Sequence, residues 1–333
     1  MARDRRVYSM SRRSFCWASV GIFIAPDIAI AQASKVRRIG VLEPGPPWSP
    51  QDERKQDEPL RELGWVEGQN LHIERRYDNN RHEALQSLAE ELMRARVEII
   101  VTAGTPATLA AKHATTTLPI VFRYAGAPVF TGLVASLARP GGNVTGFAGA
   151  GPEITTKSLS LLKELLPRLH RVGMLEPKGD PYARAGRQFE QVCRSLGLEP
   201  VSVEITPTSE IGAAIAELVR EGAQALVVPN ESPMAQRGIE IVDVATKHRL
   251  PTLSDGADLA REAGVLIAYS ASPVEIDRIR AYYIDRILRG ANPADLPVRQ
   301  STTFELVINL KSARALGLTI PKELLLRADE VIQ

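Results

Sequence analysis

The chain has 333 residues, of which 44% are hydrophobic, 24% charged and 5% aromatic. This ordinary globular composition excludes a low-complexity or fibrous protein, and the length predicts two domains or lobes. Of its 41 basic and 39 acidic residues, five arginines and two aspartates lie in residues 1–33, which leaves 36 basic and 37 acidic residues and no basic excess that would indicate nucleic-acid binding.

Residues 1–33 differ from the rest and predict a signal peptide. Five arginines precede an apolar run from Phe15 to Ile30, and small residues of the A-x-A type occupy 29–33. This order is typical of a secretory signal, so we expect an exported protein cleaved near residues 31–33. Residues 11–15 read SRRSF, which is also typical of a twin-arginine signal, and both export routes stay open.

From residue 36 onward, short β-branched runs alternate with amphipathic stretches of helical period. The predicted strands are 38–42, 71–75, 99–102, 120–122, 144–148, 171–175, 200–205, 225–229, 251–253 and 265–269. The predicted helices between them are 85–92, 105–114, 154–166, 182–196, 211–219 and 234–247. This rhythm predicts an α/β fold with parallel sheets covered by helices.

The rhythm runs twice and is interrupted at residues 139–143, which read RPGGN. A long amphipathic helix is then predicted over 273–288, followed by a further strand and helix between 296 and 332. We therefore expect a first lobe of 36–147 plus about 273–298, and a second lobe of about 150–270 plus about 299–333.

Ligands of open parallel sheets bind beyond the carboxyl ends of the strands, which selects a set of loops. Residues 102–105 offer a glycine and two hydroxyls at a helix N-terminus, an arrangement that suits a carboxylate; the alternative is an ordinary turn with Thr105 as N-cap. Trp48 and Tyr182 are expected either to stack on a ligand or to be ordinary packed aromatics. The candidate ligand-binding residues are Trp48, Ser49, Thr102, Gly104, Thr105, Gly126, Ala127, Asp180, Tyr182, Asn230, Asp255 and Ser270.

Sequence signatures of common enzyme sites are absent. No G-x-G-x-x-G, G-x-x-x-x-G-K-[ST] or G-x-S-x-G motif occurs, and no two of the five histidines are four residues apart. Cys193 is the only cysteine beyond the signal and lies among apolar residues at helical spacing, which predicts a buried thiol. We therefore expect no catalysis, no metal and no cofactor.

Five long segments resemble one family. Residues 63–70 read LGWVEGQN, 73–76 read IERR, and 132–146 read GLVASLARPGGNVTG. Residues 304–311 read FELVINLK, and 315–321 read ALGLTIP. These segments are similar to signatures of the tryptophan/tyrosine-type ABC-transporter substrate-binding proteins, and the match covers essentially all of the chain beyond the signal.

The resemblance implies a type I periplasmic-binding-protein (Venus flytrap) architecture, with two Rossmann-like lobes, three crossovers and a ligand between them. It also implies a monomeric periplasmic protein that passes a small molecule, carboxylate or aromatic amino-acid-like, to an inner-membrane permease with its ATPase. One alternative is a periplasmic sensor that feeds a signalling receptor; a less favoured one is an exported α/β hydrolase.

Three positions depart from the family pattern. Ala127 stands where an aspartate commonly precedes Pro128, which places binding of the amino group of an α-amino acid in question. Residues 269–272 read YSAS instead of a usual Tyr-Gly. Pro59 replaces a typical glycine, so the first helix is expected to start late or to kink there.

Overall fold

The computed structural model describes residues 36–79, 81–149, 152–177, 184–206, 210–230 and 237–333. The predicted signal peptide lies outside these residues, as do the predicted ligand contacts Asp180 and Tyr182. No helix of the described residues is long and apolar enough to cross a membrane.

Two sheets organise the described chain. The strands are β1 (Arg37–Glu43), β2 (Leu71–Tyr77), β3 (Ile99–Thr102), β4 (Ile120–Ala125), β5 (Val144–Ala148), β6 (Arg171–Pro177), β7 (Glu199–Ile205), β8 (Leu226–Val228), β9 (Thr252–Ser254), β10 (Ile267–Ala271), β11 (Arg299–Gln300), β12 (Phe304–Asn309) and β13 (Glu330–Ile332). The first sheet has the order β11-β5-β4-β3-β1-β2, and the second β13-β12-β10-β9-β8-β6-β7. The strand pairs are parallel except β10 with β12.

Helices cover both faces of each sheet, which confirms the predicted α/β class. They are α1 (Pro50–Glu62), α2 (Leu85–Arg94), α3 (Gly104–Ala114), α4 (Pro152–Leu165), α5 (Arg184–Ser195), α6 (Ile211–Arg220), α7 (Gly238–Lys247), α8 (Pro273–Leu288), α9 (Leu310–Leu316) and α10 (Lys322–Leu325). On the first sheet, α8 packs on one face, and α2 and α3 pack on the other. On the second sheet, α4 and α5 pack opposite α6 and α7.

The chain passes three times between the sheets. It leaves the first sheet after β5, returns after β10 into α8, and leaves again between β11 and β12. The helix α8 packs against α1, β4 and β5, so the long helix predicted over 273–288 covers the first sheet. The crossover between β10 and α8 is hydrogen-bonded to the crossover that precedes β12, since the Ser272 N–H donates to the Thr303 carbonyl (3.0 Å).

The first helix does not start late, which corrects one expectation. It begins at Pro50, with Ser49 as its N-cap, and continues through Pro59 to Glu62. Pro59 lies in the last turn and has no N–H, so the helix continues there with one backbone hydrogen bond fewer.

Candidate functional site

Side-chain alternation on the first sheet brings charged residues to one face of its carboxyl edge. Val41, Ile73 and Val121 face the buried layer under α8. The residues two positions later on the same strands are Glu43, Arg75 and Arg123. Alternate side chains of a strand lie on the same face of the sheet. These three charged residues therefore lie on the α1 and α8 side, just beyond the apolar layer.

An irregularity in β4 adds an aromatic residue to that face. The pairing of β4 with β5 shifts register between Phe122 and Ala125, although both side chains pack with α2 and α3. The extra residue leaves Tyr124 on the opposite face, where its ring packs at the edge of the α8 layer and lies 6.5 Å from that of Phe147. A β-bulge therefore aims Tyr124, as bulges near functional sites do elsewhere.

Three arginines and three carboxylates form a network at this edge, which we call the charge network; two members are buried and four are half-buried. Its members are Glu43, Asp57, Arg75, Arg123, Asp277 and Arg280, contributed by β1, α1, β2, β4 and α8. Arg123 Nη2 lies 3.7 Å from Glu43 Oε2, and the Arg123 guanidinium lies 5.1 Å from the centre of the Trp48 ring. Arg75 pairs with Asp57.

Arg280 is the most buried member, at 1% exposure. Its Nη2 lies 3.5 Å from Asp57 Oδ1, and its Nε lies 3.8 Å from Asp277 Oδ1, which is an ion pair beyond hydrogen-bonding distance. It also donates to the carbonyl of Gln56.

The charge network is not fully satisfied. Within the described residues, its atoms Arg123 Nε, Asp277 Oδ1 and Arg280 Nε are buried without a hydrogen-bond partner, as is Nε2 of the neighbouring Gln56. Each such atom costs about 1–3 kcal/mol. Burial raises the pKa of the Glu43 and Asp277 carboxyls, and the positive charges of Arg123 and Arg280 oppose both shifts. This edge therefore stores unfavourable electrostatic energy, as functional sites often do.

Asp255 joins the two sheets. It follows β9 in the second sheet, and its Oδ1 accepts from the Asn230 N–H at 2.8 Å. Its Oδ2 accepts from the Tyr124 hydroxyl of the first sheet at 3.3 Å. Burial raises the pKa of Asp255, and the bonds from Asn230 and Tyr124 oppose that shift.

Two glycines allow this junction to close. A Cβ on Gly149 would lie 2.4 Å from the Tyr124 ring, and a Cβ on Gly256 would lie 2.3 Å from Cγ of Asn230. Real side chains do not approach so closely, so both positions require glycine while Tyr124 and Asn230 keep their present places.

Three of the sequence-predicted residues lie at the carboxyl edges of the two sheets, where they are partly exposed or hydrogen-bonded to each other. Trp48 is half-buried beside Arg123, and Asn230 and Asp255 bond to each other as described. Ser49 serves as a cap, since its hydroxyl oxygen accepts from the Asp52 N–H. Ser270 is buried, with its hydroxyl 3.5 Å from Glu305 Oε1.

The 102–105 turn is more enclosed than its residue types predict. The hydroxyls of Thr102 and Thr108 lie 2.8 Å apart, and Thr102 is fully buried. The helix begins at Gly104 with Ala103 as its N-cap, so Thr105 is not the cap. The Thr105 hydroxyl instead accepts from the Gly126 N–H at 3.2 Å, which ties this turn to the loop after β4.

Ala127, next in that loop, has a backbone φ of 40°, in the left-handed region that alanine rarely adopts. The conformation is held because the Ala127 carbonyl accepts from the Thr131 N–H at 2.9 Å and from the Thr131 hydroxyl at 3.2 Å. An aspartate tolerates this region better than an alanine does.

Sequence reasoning missed the charge network and Tyr124. Glu43, Arg75 and Arg123 carried a usable signal, because each follows apolar residues at the two-residue spacing of a strand and so falls on the same face as the core. Tyr124 begins the candidate loop after the fourth predicted strand, but nothing indicated which face it lies on, since a register shift between two paired strands leaves no local pattern.

Three comparisons place the chain among known proteins. A family model described as ABC transporter substrate binding protein matches residues 56–332. A tyrosine-binding protein from Clostridioides difficile is 26% identical over 265 residues, which are 78% of this chain and 74% of that protein.

Solved structures show the same fold. A conserved domain protein from Vibrio cholerae is 24% identical with a TM-score of 0.82, covering 89% of this chain and all of that chain. A domain from Streptococcus pneumonia in complex with L-Trp is 26% identical with a TM-score of 0.80, covering 89% of this chain and 99% of that chain.

Proposed function

The chain belongs to the ABC transporter substrate-binding protein family, and from that premise we propose that it traps a small organic ligand between its two sheets. A family of this kind implies a small-molecule ligand and a membrane permease as partners. Substrate-binding proteins of ABC transporters work outside the cytoplasm.

The observation that carries the proposal is the bond between Tyr124 and Asp255. It joins the carboxyl edges of two separate sheets, the place where ligands of parallel sheets bind. The three crossovers are the only covalent links between the sheets within the described ranges, so the two edges can separate by rotation about them. We propose that each sheet with its helices is one lobe, and that the lobes close on the ligand.

The mechanism needs no covalent step. A ligand that contacts both edges has more contacts in the closed form than in the open one, and that difference in affinity drives closure. The closed form then presents a surface to the permease that the open form does not have. We therefore propose a binding protein without catalytic activity, which acts as a monomer in the periplasm after cleavage of its signal near residues 31–33.

The ligand class follows from the edge residues and the relatives. One relative named above is a tyrosine-binding protein and another is solved in complex with L-Trp, which supports an aromatic or carboxylate ligand here. Trp48 offers an aromatic surface, and Arg123 beside it offers a positive charge for a carboxylate. We propose that these two residues, the 104–105 turn, Gly126, Asn230 and Asp255 line the ligand site. The side chain of Ala127 has no charge for an ammonium group, so the ligand need not be an α-amino acid.

Native mass spectrometry of the purified protein tests this function directly, because a tightly held ligand is carried through purification. A melting-temperature panel should follow, with L-tryptophan and L-tyrosine each paired with its analogue that lacks the amino group. We expect a saturable rise in Tm with at least one carboxylate of the panel. No co-purified molecule and no ligand-dependent shift across a broad metabolite panel would contradict the proposal.

A further inference from the structure

A separate cavity lies between α8 and the crossover that precedes β12. Its volume is about 370 Å³, within the range of roughly 300–1,000 Å³ that small-molecule sites occupy. The lining residues are Ser272, Val274, Glu275, Arg278, Ile279, Arg299 and Thr303. Its lining residues include neither Tyr124 nor Asp255, nor any member of the charge network.

Two guanidinium groups line this cavity without a carboxylate partner. Arg278 and Arg299 are both exposed, and neither takes part in an ion pair with any described residue. The Arg299 guanidinium lies 4.2 Å from the centre of the Tyr282 ring, and Tyr282 is one helical turn after Arg278 on α8. Stacking on Tyr282 fixes the position of Arg299 but does not neutralise its charge. The lining therefore holds two positive charges, of Arg278 and Arg299, against the single negative charge of Glu275.

Glu275 is the natural partner of Arg278, three residues earlier on the same helix, but it is engaged elsewhere. Its carboxylate accepts from the Ser301 hydroxyl at 2.5 Å, the Thr302 hydroxyl at 2.7 Å and the Thr303 N–H at 3.0 Å. Burial alone would raise the pKa of Glu275, and these hydrogen bonds lower it below its ordinary value. The carboxylate is thus committed to the crossover.

The N-terminus of α8 opens on the same cavity. Ser272 is its N-cap, and the Ser272 side chain makes no capping bond to the helix. This helix of 16 residues has partial positive charge at its N-terminus, where Pro273 has no N–H and the free N–H groups are those of Val274 and Glu275. Beside these polar groups, Val274 is 59% exposed and Ile279 lines the wall, so the cavity also has an apolar side.

We propose that this cavity binds a small organic anion. The charged group of the anion lies between Arg278, Arg299 and the N-terminus of α8. The apolar part of the anion covers Val274 and Ile279. This goes beyond the ligand trap between the sheets, because it gives the protein a second site at the segments about which the sheets rotate. A bound anion would connect α8 to β11, both of which belong to the first sheet, beside the segment that leads into the second sheet.

Titration of the ¹⁵N-labelled protein with sodium benzoate tests this site, at constant ionic strength. We expect saturable shifts of the Val274 and Glu275 amide signals, whether or not the ligand between the sheets has been identified. Arg278→Ala and Arg299→Ala should each weaken benzoate binding by about tenfold, the effect of losing one hydrogen bond to a charged group. Arg286→Ala, which removes an exposed arginine from the last turn of the same helix, should leave the affinity unchanged.

Benzylamine, with the same ring and the opposite charge, should produce no saturable shift of these amides. Benzoate shifts confined to residues around Trp48 and Tyr124 would overturn the proposal, because they would place the anion between the sheets. Equal benzoate affinity in wild type and both arginine variants would also overturn it. If an alanine variant loses its dispersed amide spectrum, Arg278→Gln and Arg299→Gln remove the charge and keep the bulk.

Discussion

The Tyr124 hydroxyl donates a hydrogen bond of 3.3 Å to Oδ2 of Asp255, 131 residues later in the chain and on the other sheet. This bond joins the two carboxyl edges directly, and it depends on a bulge in β4 and on the small volume of Gly149 beside the ring. It is therefore the contact whose loss should most directly favour separation of the edges.

Tyr124→Phe should shift the ligand-free protein toward more open forms. Losing a hydrogen bond of about 1 kcal/mol changes the ratio of closed to open molecules by about fivefold. Small-angle scattering should then give a larger radius of gyration for the variant than for wild type. Tyr269→Phe is the matched control, since no hydrogen bond of its hydroxyl is present among the described residues. Identical scattering of all three proteins would show that the bond does not hold the edges together.

Arg280→Met should lower the free energy of unfolding by about 3–5 kcal/mol, the usual cost of leaving buried charges without their partner. Asp57 keeps Arg75, but Asp277 loses the guanidinium that lies nearest to it. Adding Asp277→Asn to this variant should recover part of the loss, because it removes the unpaired charge. Urea denaturation measures each value, with Arg286→Met as an exposed control on α8. A double variant no more stable than Arg280→Met would contradict this view of Asp277.

Ala127→Gly should raise the free energy of unfolding by up to about 1 kcal/mol. The left-handed φ of 40° strains an alanine and suits a glycine, although glycine loses more backbone entropy on folding. Ala135→Gly in the same loop region is the control, because Ala135 has no positive φ and should only be destabilised. Denaturant midpoints of the two variants should therefore move in opposite directions.

Ala127→Asp should change the ligand preference. The new carboxylate supplies a partner for an ammonium group, so the affinity for L-tryptophan should rise relative to that for indole-3-propionate, which lacks the amino group. A gain of about tenfold is expected from one charge-assisted hydrogen bond. Calorimetric titration of both compounds measures the ratio. An unchanged ratio would mean that the residue before Pro128 does not meet the amino group.

Glu275→Gln should lower the melting temperature at neutral pH but not in acid. Hydrogen bonds from the crossover hold the pKa of Glu275 below 4.5 in the folded protein, so their stabilisation is present above pH 4.5 and is lost as the pH falls through the folded pKa. The carboxylate is only partly buried, so solvent screening should keep the difference below about 4 °C. Melting curves at pH 7 and about pH 3 compare wild type with the variant. A difference that persists at the lower pH would point to packing and not to charge.

The regular elements were accessible from local pattern. The strand over 99–102 and the helix over 273–288 have the predicted bounds, because β-branched runs and a 3.6-residue apolar period are carried by neighbouring residues. Proline positions predicted helix bounds less well, since Pro59 lies inside α1, near its end. Residue type at strand ends made Asn230 and Asp255 candidate ligand contacts, and the structure adds a hydrogen bond between them, because carboxyl ends of adjacent parallel strands meet at one edge.

Sequence alone determined the α/β class, the two series of strands and the family, since each depends on patterns within short or ungapped segments. The tertiary structure alone decided which charged side chains meet. Residue type made Thr102 a candidate contact, and packing buried it against Thr108. Arg280 reaches Asp57, Arg299 reaches Tyr282, and Tyr124 reaches Asp255 only because crossovers and a bulge bring distant segments together. Such contacts are set by the arrangement of whole elements, and no local period encodes that arrangement.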